Sequence, residues 1–321
     1  MEVMRVVALS KLVLRVLPGV RNRRWLSSLR SSVGGRRMSH QKVNLQCTLH
    51  LFRAEYLGYA GAHKGVVMST DLSKQVVIVT GAGRGLGAAI SESFVKQGAK
   101  VAINYRRSKG AAEALASRLG GNAMAFQADV RSADDVNCMV EEVTAALGSP
   151  TTVVHNALAD FVFNGDARKK LDEMGWEDFE AHALTGLKGA LHLIHALKPI
   201  MAKQKFGRFI NIGTNLFQNP VVPYHDYTAI KASLLALTRT AAAELGPDGI
   251  TVNMVSGGLL RTTDASAATP EPVFDYIAQS TPLRSVTTPE EMADAVLFFA
   301  SPWARAVTGQ NLVVDGGLVF N

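Results

Sequence analysis

Residues 75 to 90 read QVVIVTGAGRGLGAAI, and the fold turns on how that stretch is understood. Its first part, VVIV, is β-branched and apolar without alternation, the pattern of a strand buried on both faces. Gly81, Gly85 and Gly87 follow at once, and the chain then passes into helix-forming composition. Glycines so placed let a backbone turn tightly and approach a pyrophosphate held against the N-terminus of the next helix. The stretch predicts a strand, a nucleotide-binding turn and a helix in one unit.

Working outward, the same unit recurs. KVAINY, AMAFQ, TTVVH, RFINIG, ITVNMV and NLVVD are further strand candidates, separated by helical stretches such as SADDVNCMVEEVTAALG and TAIKASLLALTRTAAAELG, each with a Gly at its stop. Strand and helix in alternation predict an α/β fold, a doubly wound parallel sheet (Rossmann fold) of about seven strands in three α/β/α layers. Ligands of such sheets bind outside the carboxyl ends of the strands, where strand order reverses. Residues 72–321 read as a single domain of this kind, residues 1–40 as a transit peptide or disordered leader, and residues 41–71 as a linker or N-terminal extension.

The charge is divided in the same way. Residues 1–67 hold twelve Lys/Arg and only two acids, whereas the remainder holds 22 basic and 25 acidic residues. The basic excess thus belongs to the leader, and no basic stripe is left on the body to neutralise the phosphates of a nucleic acid. An Arg- and Ser-rich, acid-poor leader has the composition of an organelle transit peptide. Mitochondrial import is the first expectation; plastid import, or a cytosolic protein translated from Met68, are the alternatives. Lys11 and Arg15 interrupt the one apolar run near the length of a membrane span. The two cysteines, Cys47 and Cys138, suit a reducing compartment and neither a disulfide framework nor a zinc site. His192 and His195 are three apart, yet no third ligand is suggested nearby, so no metal is expected.

Further along, YHDYTAIKAS (224–233) sets Tyr227 four residues before Lys231 at the start of a helix. Residues so spaced share a helix face, and a nearby ammonium is expected to lower the phenol's pKa. At the end of the second strand, KVAINYRRS lacks the acid that grips a ribose in NAD enzymes; Tyr105 stands there, followed by Arg106 and Arg107. With Arg84 in the glycine turn, these cations predict NADP(H).

Taken together, the turn from Thr80 to Gly87 (T-G-x-x-x-G-x-G), Asp129, Asn156, the Tyr227/Lys231 pair and the closing VTGQNLVVDGG resemble the short-chain dehydrogenase/reductase family over residues 72–321, and most of all its 3-oxoacyl-[acyl-carrier-protein] reductases. The resemblance implies an oxidoreductase of fatty acid metabolism, passing hydride from NADPH to the carbonyl of a 3-oxoacyl thioester. It implies Tyr227 as proton donor, Lys231 as the group that lowers its pKa and holds the nicotinamide ribose, and Thr214 as the second donor to the carbonyl oxygen, in place of the family's serine. It implies cofactor contacts from Thr80, Gly81, Arg84, Gly85, Leu86, Gly87, Arg106, Asp129, Val130, Asn156, Gly258 and Thr262. The implied assembly is a homodimer or homotetramer, and the implied partner an acyl thioester or a small carbonyl compound, with or without an acyl-carrier protein.

Departures from the family pattern set the alternatives. The asparagine that relatives carry on the preceding helix falls on Gly186; His182, one turn earlier, is a candidate substitute but reads first as a surface or packing residue. Leu158 in HNAL places bulk near the cofactor, and RKKLDEMGWEDFE (168–180) reads as a solvated loop and helix start. The acid Asp248 stands near the mildly basic MAKQKFGR, which weakens a carrier-protein dock. Arg261 to Pro282 reads as a mobile lid. The competing readings are a non-catalytic or weakly active NADP-binding subunit and a reductase of small aldehydes or ketones.

Overall fold

The structure, a computed structural model, describes residues 71–159 and 168–320. The leader expected over 1–40 and nearly all of the extension expected over 41–71 lie outside the described residues. Seven strands form one sheet: β1 (Val76–Val79), β2 (Lys100–Tyr105), β3 (Ala123–Gln127), β4 (Thr152–His155), β5 (Gly207–Thr214), β6 (Ile250–Gly257) and β7 (Asn311–Val314). Their order is β3-β2-β1-β4-β5-β6-β7 and every pairing is parallel. The strand candidates of the sequence all become strands; six carry β-branched residues, and β3, AMAFQ, contributes buried Ala123 and Phe126 to the core instead.

Both faces of the sheet are covered, as continuously apolar strands require. On one face Val77, Val79, Ile103, Ile210 and Ile212 pack against Ile90 and Phe94 of α1 (Gly85–Lys96), Leu115 of α2 (Lys109–Leu119) and Val296 and Phe299 of the last long helix. On the other, Ile78, Ala102, Val153, Phe209 and Val252 meet Val136, Met139 and Val143 of α3 (Ala133–Leu147), and Leu193, Leu197 and Met201 of a helix over Gly189–Gln204. Phe94 and Phe299 are among the largest fully buried side chains, each contributing about 1.5–3 kcal/mol.

The remaining helices are α4 (Trp176–Ala183), α5 (Gly189–Gln204), α6 (His225–Leu245), α7 (Glu271–Ser280) and α8 (Pro289–Ala300); a π-helical turn, Leu184–Lys188, joins α4 to α5. Strand order reverses between β1 and β4, which run on either side of the switch point. The carboxyl ends of both strands, with the loops that follow them, face one cleft.

Candidate active site

The cleft holds about 570 Å³. Its floor is the turn after β1, and packing explains the turn's glycines. Gly81 has φ +62°, where an L side chain is strained. A Cβ on Gly87 would stand 2.6 Å from the Gly81 carbonyl oxygen and 2.8 Å from Asn156 Nδ2, so a side chain cannot be accommodated. Asn156 Nδ2 donates to the carbonyls of Thr80 (3.0 Å) and Gly81 (3.2 Å), while Thr80 Oγ1 accepts from the amides of Asn156 and Ala157, both at 3.0 Å. Thr80 and Asn156 thus staple the turn to the end of β4. Asn104, at the end of β2, does the same from the other side: its Oδ1 accepts from Gly81 N and its Nδ2 donates to Ala128 O.

α1 begins at this turn with no side-chain cap and no acid in its first turn, so its leading amides and the positive end of its dipole point at the cleft. The residues fit a dinucleotide phosphate in shape and in charge. Gly81, Arg84, Gly85, Leu86, Gly87, Arg106, Asp129, Val130, Asn156 and Gly258 all line the cleft. Thr80 lies fully buried beneath it. Thr262 is exposed and does not line it; the wall there is Thr263, Ala265 and Ser266. The expected lid is pinned at this end, since buried Ser266 donates to Leu260 O at 2.7 Å and accepts from Thr263 N at 2.9 Å.

Arg106 and Arg107 line the cleft beside Ser108 just past the end of β2, and the charge of Arg106 reaches Asp129, which lines the same cleft. Arg84 faces an acid that its own segment does not reveal, Asp264, at 3.4 Å; both are well exposed, so the pair is weak. Asp129 is held below the usual carboxylate range chiefly by hydrogen bonds from Arg131.

Tyr227 and Lys231 line the same cleft, and Thr214, which does not line it, lies behind Tyr227. Thr214 closes β5 and is buried, with Oγ1 accepting from Leu216 N. Tyr227 stands in the first turn of α6 and its phenol is hydrogen-bonded to Thr214. Lys231, one turn on, is buried; its Nζ donates to Ile212 O at 2.6 Å and lies 5.8 Å from the Tyr227 ring centre. The expected lowering of the phenol does not appear in this arrangement. Burial pushes Tyr227 up to about 12, opposed by the Thr214 hydrogen bond, and burial brings Lys231 down to about 8. Desolvation outweighs the spacing of the pair.

Several side chains of the site had no signature in the sequence. His155, at the end of β4, is buried, with Nε2 2.9 Å from Gly186 O and Nδ1 3.4 Å from Thr80 Oγ1. Burial, then the charge of Lys231, brings it to about 4, so it is neutral at pH 7 and donates from Nε2 to Gly186. Gly186 sits in the π-helical turn with no room to spare, since a Cβ would meet Ile230 Cγ2 at 3.1 Å. His182 is neither a surface residue nor a simple packing residue: it is buried, 3.5 Å from Asp226 Oδ2, and edge-on to Tyr227 with ring centres 6.0 Å apart. Arg168, read as part of a solvated loop, grips buried Asp226 with both carboxylate oxygens within 2.6 Å. Leu158, as expected, presents its bulk at the cleft.

A family model described as enoyl-(acyl carrier protein) reductase matches residues 81–319, most of the chain and the site from Gly81 onward. The chain belongs to the short-chain dehydrogenase/reductase family. It is 36% identical over 258 residues to a protein of Synechocystis named 3-oxoacyl-[acyl-carrier-protein] reductase, covering 78% of this chain and 99% of that one. A Staphylococcus epidermidis protein of the same name is 34% identical over 244 residues, covering 75% and 97%. A crystal structure of a short-chain dehydrogenase/reductase from Brucella melitensis, titled glucose/ribitol dehydrogenase, superimposes with a TM-score of 0.70 at 25% identity, covering 79% of this chain and all of that one. As a family member this chain is an oxidoreductase that uses a nicotinamide cofactor. Among the described residues no helix is long and apolar enough to cross a membrane, and no three His, Cys, Asp or Glu converge as metal ligands.

Proposed function

We propose that this chain reduces the 3-oxo group of an acyl thioester with NADPH, with Tyr227 as proton donor. One observation carries the reading: a buried phenol hydrogen-bonded to a threonine hydroxyl, with a buried lysine one turn on, the phenol and the lysine both lining the cleft that holds the glycine turn. The bound nicotinamide supplies hydride to the carbonyl carbon. Negative charge then grows on the oxygen, and Tyr227 and Thr214 are two donors that one such oxygen accepts from. A phenol held at about 12 stays protonated through the neutral range, so Tyr227 remains in its donor form, and an alkoxide is basic enough to take its proton. Lys231 has three donors and spends one on Ile212, leaving capacity for a ribose hydroxyl. Thr80, Gly81, Arg84, Gly85, Leu86, Gly87, Asp129, Val130, Asn156 and Gly258 are the residues that hold the dinucleotide, with Arg106 at a 2′-phosphate.

The names of the relatives support the thioester, and the make-up of the end of β2, Tyr105-Arg106-Arg107 in place of an acid, supports NADPH. An acyl-carrier protein is the less supported donor of the thioester, because Lys205 of the basic patch is paired with Asp248 at 3.1 Å. NADPH oxidation measured against 3-oxoacyl thioesters of coenzyme A and of carrier protein, and against simple ketones, tests the reading. Tyr227→Phe is expected to remove turnover while leaving NADPH binding intact. Charge-assisted bonds to the phosphate contribute about 1.5–3 kcal/mol each, so kcat/KM should favour NADPH over NADH by at least about tenfold, and Arg106→Ala should erode most of that gap. Equal efficiency with both cofactors would show that Arg106 does not read the phosphate.

A further inference from the structure

The residue before the proposed proton donor is an acid. Asp226 occupies the first turn of α6, is 3% exposed, and precedes Tyr227 directly. A buried carboxylate there is costly unless paired. It is paired: Arg168 NH2 approaches both carboxylate oxygens, at 2.6 and 2.5 Å, and reaches them across 58 residues of sequence. The first-turn amides of α6 add to the balance. His182 closes the arrangement, facing Asp226 with Nε2 and Tyr227 with its ring edge.

We propose that Arg168, Asp226 and His182 form a charge-balanced bracket around Tyr227, in which the opposed carboxylate and guanidinium set how readily the phenol gives up its proton and the imidazole fixes the ring's direction. The inference rests on the reading of Tyr227 as donor, and it assigns all three as positioning residues, since they act through the tyrosine. The charged and titratable groups around the Tyr227–Lys231 pair are Asp226 on its own helix, His182 on α4, Arg168 ahead of α4, and His155 at the end of β4. His182 is held below its ordinary value by burial, with Asp226 opposing, so above neutral pH it is uncharged and the balance lies between Asp226 and Arg168. A small cavity between Tyr227 and Lys231 is bounded by His182, Thr185, Gly186 and Ile230, which brings the imidazole to the same space as the catalytic pair.

The test reads the phenol itself. Tyr227 is one of six tyrosines, so its ring-carbon NMR signal is assigned by its loss in Tyr227→Phe and followed with pH in the full chain, with and without saturating NADP⁺. Asp226→Asn leaves the guanidinium unopposed and is expected to move the midpoint down by about one unit; Arg168→Met leaves the carboxylate unopposed and is expected to move it up. The double variant removes both charges and should return the midpoint to that of the unsubstituted chain. If Arg168→Met does not fold, Asp226→Asn against the double variant still decides. Midpoints that are unchanged, or that move in one direction in both single variants, overturn the proposal. Turnover on the thioester panel is measured alongside: a shifting phenol without turnover keeps the bracket and removes the reductase reading, and turnover with an indifferent phenol does the reverse.

Discussion

His155 shows how a single residue ties the cofactor turn to stability. It bridges the end of β4 to the π-helical turn through Gly186 O and touches Thr80, which itself staples the glycine turn. Buried, it is neutral in the fold with a value near 4, against 6.5 when unfolded. The sign follows: between these values the unfolded chain binds the extra proton, so the contribution is complete above about pH 6.5 and is lost as pH falls toward about 4. At about 1.4 kcal/mol per unit the loss is about 3 kcal/mol. His182 is shifted the same way and adds to it. Unfolding free energy from urea titrations should therefore decline over this acid range, and in His155→Gln the decline should be shallower though the protein starts less stable. An equal slope in both proteins would place the acid sensitivity elsewhere. Tyr227 and Lys231 were legible in the sequence as a pair because one helix turn separates them. What burial does to each was not, since it depends on chain from β4, β5 and α4 packed around them.

At the scale of elements, the turn between β1 and α1 is closely packed. Gly87 lies against the Gly81 carbonyl and Ala82 Cα, at 2.6 and 2.8 Å from where a Cβ would be. Gly87→Ala must displace backbone on one side or Asn156 on the other, and the displaced backbone is what faces a phosphate. NADPH affinity is expected to fall by at least about tenfold, near 1.4 kcal/mol, with a lowered melting temperature. Calorimetric titration checks it, and an unchanged Kd would mean that the turn has slack the packing does not show. The same element explains why the fold was readable: seven short apolar runs alternating with helical stretches leave parallel winding as the arrangement that covers both faces. Contacts that join distant loops leave no such trace. Arg168 sits among Lys169, Lys170, Asp172 and Glu173, and nothing in that mixture marks the one cation that turns inward to Asp226.

For the whole molecule, two predictions share one preparation. The described fold begins at Asp71 and β1 at Val76, while the acid-poor, Arg-rich composition lies before them. A chain beginning at Ser69 should fold and keep full activity, as a removable leader requires; insoluble expression of it would make the leader part of the fold. The same shortened chain is expected to associate. α5 and α6 direct Leu193, Leu197, Met201 and Leu245 at the sheet, but Leu187, Leu235 and Leu237 remain only partly covered around Ala190 and Leu234, and Leu191 is 40% exposed. Apolar side chains on neighbouring helices, left half in water, favour a second copy of the same surface across a two-fold axis. Light scattering at micromolar concentration should give the mass of a dimer or tetramer. Leu237→Glu, which puts a charge in that surface without touching the cleft, should shift the mass toward the monomer. A monomeric mass for the unsubstituted chain would show that these leucines are covered by nothing.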